Sequence, residues 1–407
     1  MWKTINNTNN YRNITNINLC INKKTKKSSF MILLIIIISY LVFINPTVFQ
    51  YYYYKNLGFY INVFIIMISL FIEIIHTKKI YKIQSKNIIF AFILFIYCIF
   101  NALFFSGGFR YIGCIINTII LCFIMRDYRI SKILLKLHIF IILIMLFYLL
   151  TKTNNYFESQ YLKEVSINSN YIGTFVLSLI IHMNLSLEML NIGSLKKIKI
   201  IKIIVLIVGF YIILECKSRG NFLALLFYTF LVYLFPIKII SKSKFIKFAS
   251  IFMISFSIFF SYFYVFYFAH LGIKIMGRST LTRYNLWNYF YKNIFLNLNN
   301  FLFGFGTRGE LRKIFGYGMH HVYLGIWYDI GFIGLIIIIL FILSIIFNAF
   351  SKLKIFNRVQ ILSIIGFFSF IISDCFAVTF TGPLVIWNYF VLALSMYQKS
   401  YKVEEKK

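Results

Sequence analysis

The chain has 407 residues, 60% hydrophobic and 20% aromatic, and its mean hydropathy of +0.82 excludes an ordinary soluble domain. It carries 42 Lys and Arg against 11 Asp and Glu, a formal charge of +31. In a soluble protein that excess would point to nucleic acid; in a membrane protein, basic loops hold one side of the chain in the cytoplasm, so the lipid bilayer is the expected partner and nucleic acid is not.

Residues 1–29 are rich in Asn, Lys and Thr and too polar to pack a core, so they read as a disordered basic cytoplasmic arm. The apolar run that follows is a full span without a small-residue cleavage site, hence a first helix and not a signal peptide. A transmembrane helix needs ~20 mostly apolar residues, and twelve segments approach this: 30–44, 57–75, 88–105, 111–125, 133–150, 171–190, 200–214, 221–235, 248–269, 332–350, 360–376 and 384–397. Flanking Lys and Tyr lengthen the shorter ones by snorkelling into the headgroup layer. Together they form one domain, 30–397, with a cytoplasmic tail, 398–407. Pro46, Pro236 and Pro383 stand at span ends, and the six cysteines show no CxxC pair, so neither a zinc site nor a disulfide framework is indicated.

The loops on the N-terminal side hold 29 of the 42 basic residues and the opposite loops 13, of which 7 lie in the single loop 270–331. This asymmetry places both termini in the cytoplasm and the long loop outside. The fold class is therefore all-α and polytopic, with about 12 transmembrane helices and one large extracytoplasmic loop. That loop breaks the charge rule the others obey: between Lys274 and Lys313 it has seven cations against one acid, Glu310. Such a concentration of cations calls for an anion.

Three external places carry residues suited to chemistry. One is the turn 215–220, where Arg219 either anchors at the headgroups or binds a ligand. The second holds Arg278, Arg283 and Trp287; Arg283 and Trp287 share a helix face, and Leu286, Phe290 and Ile294 form an apolar stripe suited to lying in the interface, where the arginines would meet lipid phosphates. The third runs from Met319-His320-His321-Val322-Tyr323-Leu324 to Asp329, Gly331 and Gly334. An imidazole of ordinary pKa, ~6.5, is mostly neutral near pH 7 and can take a proton from a hydroxyl. His76, His138, His182 and His270 lie near other span ends and read as structural. No ligand set stands at metal spacing, so neither metal nor cofactor is expected.

Ser218-Arg219-Gly220 opening a span, Arg283 four before Trp287, the turn Phe303-Gly304-Phe305-Gly306, and His320 followed by Tyr323-Leu324 and Asp329-Ile330-Gly331-Phe332-Ile333-Gly334 occur here in one order. In that order they resemble the bacterial O-antigen ligase and polysaccharide polymerase superfamily. The resemblance covers 215–335 and the plan of many spans around one external loop. His321 stands where that family commonly has Asn, and Asp329 where Glu is common; the Tyr-Leu register matches His320 to the family's functional histidine.

The resemblance implies a GT-C-like, metal-independent, inverting glycosyltransferase of the bacterial cytoplasmic membrane, acting outside on a glycan carried by undecaprenyl diphosphate. On it, Arg219, Arg283 and Arg278 hold the diphosphate, His320 is the catalytic base, and Ser218, Trp287, His321 and Asp329 support them. Its partners are the lipid-linked donor and a glycan acceptor, with a chain-length regulator or flippase beside them. A polymerase of oligosaccharide repeats is expected ahead of a ligase to lipid A-core, since nothing marks a lipopolysaccharide acceptor. A flippase or transporter is the alternative from another class; it needs a polar path, whereas Glu73, Glu188 and Asp374 stand singly near span ends.

Overall fold

In lipid, every backbone N–H and C=O must be satisfied within the segment, so long runs of Ile, Leu and Phe fold as helices. The computed structural model describes residues 36–37, 40, 85–108, 111–112, 132–153, 169–190, 196–240, 242–268, 281–306, 314–315, 319–350, 358–375 and 391–392, and every regular element among them is helical. In chain order these are α1 (Ser85–Phe105), α2 (Lys132–Thr153), α3 (Ser169–Met189), α4 (Lys196–Glu215), and α5 (Arg219–Thr229) with a π turn after it (Phe230–Leu234). The short α6 (Ile237–Ile240) leads into α7 (Ser243–Phe263), which continues in a second π turn (Tyr264–Phe268). Then come α8 (Leu281–Ile294), α9 (Leu298–Phe303), α10 (Val322–Ala349) and α11 (Arg358–Asp374).

A helix stands at eight of the twelve expected segments. Among the described residues, Lys132–Thr151, Asn170–Met189, Ser243–Tyr267 and Val322–Ala349 are long and apolar enough to cross a membrane, and Ile89–Phe105 and Arg219–Leu234 are apolar but shorter. Apart from isolated positions, segments 30–44, 57–75, 111–125 and 384–397 lie outside the described residues, as do the arm and the tail. The apolar surface of α1, α2, α4 and α7 points outward, with Leu103 75% and Phe248 70% exposed, as lipid-facing helices require.

The bundle is built around α3, which is almost wholly buried and packs against α2, α4, α5 and α11. Asn170, Thr174, Ser178, His182 and Ser186 recur every fourth residue along it, and all are buried. Lipid gives helices no hydrophobic reason to associate, so close packing and such polar contacts do the assembling. At one end, Asn221 Nδ2 donates to Asn170 O (2.9 Å), Ser218 Oγ to Asn170 Oδ1 (3.1 Å), and Thr174 Oγ1 and Ser373 Oγ to Asn221 Oδ1 (3.2 and 2.7 Å). A Cβ at Gly173 would come within 2.6 Å of Ser218 Oγ, so α3 and the start of α5 touch directly.

At the other end, His138 and His182 join one buried cluster. The Tyr40 hydroxyl meets His138 Nε2 at 3.3 Å and hydrogen-bonds His182 Nδ1, and His138 Nδ1 lies 3.0 Å from Ser186 Oγ. Just beyond, Glu188 Oε1 pairs with Lys202 Nζ (3.2 Å) and Arg358 Nε (3.3 Å). Glu188, read from sequence as a single intramembrane charge, is thus neutralised from two helices.

α10 is broken at Gly331 (φ 75°, ψ 177°), so residues 322–330 form a separate helical stretch between His321 and the span that begins at Phe332. This stretch is tied to α1 and α9. Tyr97 Oη donates to Ile330 O (2.6 Å), Asn101 Nδ2 to Phe303 O (2.7 Å), and Phe305 N to Tyr328 O (2.6 Å).

Candidate active site

The site grows from α8 and the start of α10. Leu286, Trp287, Phe290 and Ile294 are fully buried, so the stripe suited to a membrane interface instead covers protein: Trp287 meets Tyr264 (ring centroids 5.3 Å apart) and Phe290 meets Trp327 (5.4 Å). The Trp287 indole also packs edge-on to His321 (5.4 Å), and its Nε1 donates to Met319 O (2.9 Å).

His321 is the N-cap of the first stretch of α10. Its Nδ1 accepts from Leu324 N (3.3 Å), so the proton sits on Nε2, which donates to Ser257 O (3.0 Å) on α7. With both nitrogens committed, the ring is a fixture. Its pKa is pushed down to about 4 by burial, against the Ser257 bond, which favours the charged form, with the Arg283 cation adding to the depression.

His320 lies between two anchors, Met319 O held by Trp287 and His321 held by Ser257. Its backbone is in the left-handed region (φ 49°), which costs a non-glycine residue about 1–2 kcal/mol and persists only where the surroundings over-determine it. The imidazole is partly buried, and its pKa is pushed down to about 4, by lost hydration first and by the Arg283 cation second. Arg283 is therefore within electrostatic reach of His320.

Arg219 is brought to this end of the bundle by the turn after α4. Lys217 (φ 52°) takes the left-handed position usually given to glycine, while Ser218 N donates to Ile213 O (3.2 Å) and Lys217 N to Leu214 O (2.8 Å). The chain reverses within three residues, and Arg219 opens α5, half-buried. Ser218 does not cap its own helix; its hydroxyl is spent on Asn170.

Three consecutive residues at the end of α11 and just past it bridge the two halves. Ser373 bonds Asn221 beside Arg219, Cys375 Sγ lies 3.0 Å from Ser257 Oγ, whose residue holds His321, and Asp374 between them is in electrostatic reach of Tyr323. Asp374 is 3% exposed, and its Oδ1 has no hydrogen-bond partner among the described residues.

The structure thus gathers Arg283, Trp287, His320 and His321, and brings Ser218 and Arg219 to the same end. It sets Asp329 apart: that carboxylate accepts from Tyr111 Oη (2.7 Å) at the α1 junction. Arg278 lies outside the described residues. Asn170, Thr174, Asn221, Ser257 and Ser373 were not singled out from sequence, although a polar residue at every fourth position of an apolar span is a readable signal.

Trp287→Phe tests the clamp. It keeps the ring contacts but leaves Met319 O buried without its donor, which costs about 1–3 kcal/mol. The expected result is a lower unfolding temperature in detergent; an unchanged value would show that the indole N–H holds nothing.

Comparison of the chain with family models, with characterised proteins and with solved structures finds no match.

Proposed function

We propose that this protein is a membrane glycosyltransferase of the GT-C type that polymerises undecaprenyl-diphosphate-linked oligosaccharide repeats on the outer face of a bacterial cytoplasmic membrane. The observation that carries this is His320, held in a left-handed conformation between two anchored neighbours, Met319 and His321, and within electrostatic reach of the Arg283 guanidinium. A neutral imidazole accepts a proton, and a guanidinium binds phosphate oxygens in a fixed fork.

In this mechanism His320 takes the proton of the acceptor sugar hydroxyl as that oxygen attacks the anomeric carbon. The attack comes from the face opposite the diphosphate, so the configuration inverts. The bond from carbon to diphosphate oxygen breaks, its electron pair leaves with the lipid diphosphate, and Arg283 and Arg219 stabilise the growing charge. The diphosphate is already a good leaving group, so the step needs no further energy source.

The test is the full-length protein in liposomes with an undecaprenyl-diphosphate-linked oligosaccharide as sole substrate. Products longer than one repeat, with release of undecaprenyl diphosphate, are expected; Arg283→Gln lowers the rate about 100-fold, the order of losing one transition-state donor. Transfer only when lipid A-core is added would make it a ligase with the same donor site. No transfer to either acceptor overturns the assignment.

A flippase or transporter for the lipid-linked glycan is the second assignment, and the observation in its favour is the buried polar stripe of α3. Against it, Thr174 and Ser178 donate to carbonyls one turn back in their own helix (2.9 and 2.8 Å), so these hydroxyls are absorbed by packing.

A further inference from the structure

One face of α7 carries a ladder of aromatic rings at every fourth residue. Phe248 stacks on Phe252 (6.3 Å between centroids) and Phe252 on Phe256 (5.9 Å), while Phe256 meets Phe260 (6.0 Å) and Phe260 meets Tyr264 (6.0 Å) with tilted rings. The next ring beyond Tyr264 is Trp287 (5.3 Å), and beyond Trp287 is His321 (5.4 Å). The five rungs on the helix cover about 24 Å at 1.5 Å per residue, most of the hydrocarbon thickness.

A spacing of four on a helix of 3.6 residues per turn rotates each rung by about 40°. The ladder therefore winds. Phe248, Phe252 and Phe256 are 70%, 54% and 51% exposed, whereas Phe260 and Tyr264 are half-buried as the line turns in toward Trp287. At its inner end the Tyr264 hydroxyl is buried with no hydrogen-bond partner among the described residues. The line thus starts on the lipid-facing surface and ends at a polar group beside the indole that holds Met319, the residue before His320.

We infer that this ladder is the docking track for the polyisoprenyl chain of the lipid carrier, with the Tyr264 hydroxyl donating to its diphosphate. This rests on the glycosyltransferase assignment and specifies where the donor's tail lies. An apolar chain with an anionic head fits a surface that is aromatic along its length and, where it ends, changes to a hydroxyl against Trp287, with Arg283 one turn away on the same helix as that indole. A bilayer phospholipid has the same chemistry in shorter form, so the experiment separates the two.

The full-length protein is placed in nanodiscs of phosphatidylethanolamine and phosphatidylglycerol and labelled with a photoreactive undecaprenyl diphosphate; the labelled peptides are mapped. Label is expected on residues 248–267 and is chased by unlabelled undecaprenyl phosphate but not by added phosphatidylglycerol. The double variant Phe252→Leu, Phe256→Leu keeps the surface apolar and removes two rings, and lowers labelling about tenfold, the order expected for two aromatic contacts. An unchanged unfolding temperature shows that this variant is folded.

Label spread over all lipid-facing helices, label chased equally by phosphatidylglycerol, or label concentrated on another helix each overturns the track. Labelling needs no transfer step. Specific label on α7 without glycan transfer would keep the track and refute the enzyme, and transfer with label elsewhere would do the reverse.

Discussion

On the proposed mechanism, His320→Ala is expected to lower glycan transfer by about 100- to 10,000-fold, the usual contribution of a positioned general base, while the protein stays folded in the membrane. His320→Gly loses the same imidazole but also relieves the left-handed strain at φ 49° and unfolds at a higher temperature than His320→Ala, by about 1 kcal/mol. A pair of variants equally inactive but ordered in stability as Gly above Ala would mark this backbone as strained in the service of function. Full activity in either variant, measured in reconstituted liposomes, removes His320 from the mechanism.

The acidity of the same imidazole makes a second result measurable. The free protein holds His320 down at about 4, by burial first and by the Arg283 cation second. On the proposed mechanism a bound diphosphate offsets that second cause and moves the imidazole part of the way back up, so donor binding is expected to strengthen the base. The acid limb of kcat/KM, which reports the free enzyme, is expected near pH 4, and that of kcat, which reports the complex, at higher pH. Stability follows the opposite partner in the linkage. Between pH 6.5 and 4 the unfolded chain binds protons at His320 and His321 that the folded chain refuses, so stability is full above 6.5 and falls as the pH drops toward 4. Coincident acid limbs for kcat and kcat/KM would show that the diphosphate does not meet Arg283.

Eight helices were legible because lipid leaves an apolar run no other way to satisfy its backbone. The Tyr323-Leu324 register matches His320, not His321, to the histidine of the resembling family; what that register cannot show is that both His321 nitrogens are used, one to cap α10 and one on Ser257 O. The face of α8 was misjudged because an apolar stripe looks the same whether it covers lipid or protein; the fixed partners Tyr264, Trp327 and Met319 come from other elements. The Tyr40–His138–His182 cluster was invisible for a related reason, since its members lie 98 and 142 residues apart and each alone is an isolated polar residue in a span. What stayed unread was tertiary pairing, and in a membrane bundle the pairing of polar residues is where the specificity lies.

Gly331→Ala is expected to prevent the protein from accumulating in a folded form. Gly331 (φ 75°, ψ 177°) and Gly304 (φ 85°, ψ 177°) both occupy a backbone region that is essentially closed to side-chain-bearing residues, and they face each other. A Cβ on Gly331 would stand 2.1 Å from Leu302 O and 2.4 Å from Phe303 N; a Cβ on Gly304 would stand 2.6 Å from Gly331 N. The obstacles are backbone atoms of α9 and of the α10 break, so no rotamer change relieves them, and the cost exceeds about 4 kcal/mol, the range reserved for a specific mechanism of this kind. The consequence reaches the site because this junction fixes the direction of residues 322–330, at whose head His320 sits. Gly325→Ala is the matched control: it lies inside that same stretch, the nearest atom to its Cβ would be Met319 Cβ at 3.8 Å, and a helical Gly to Ala exchange there gains about 0.5–1 kcal/mol. Yield and unfolding temperature in detergent should therefore move in opposite directions for two glycines six residues apart, and a Gly331→Ala protein as stable as the parent would mean that α9 and α10 do not meet as described.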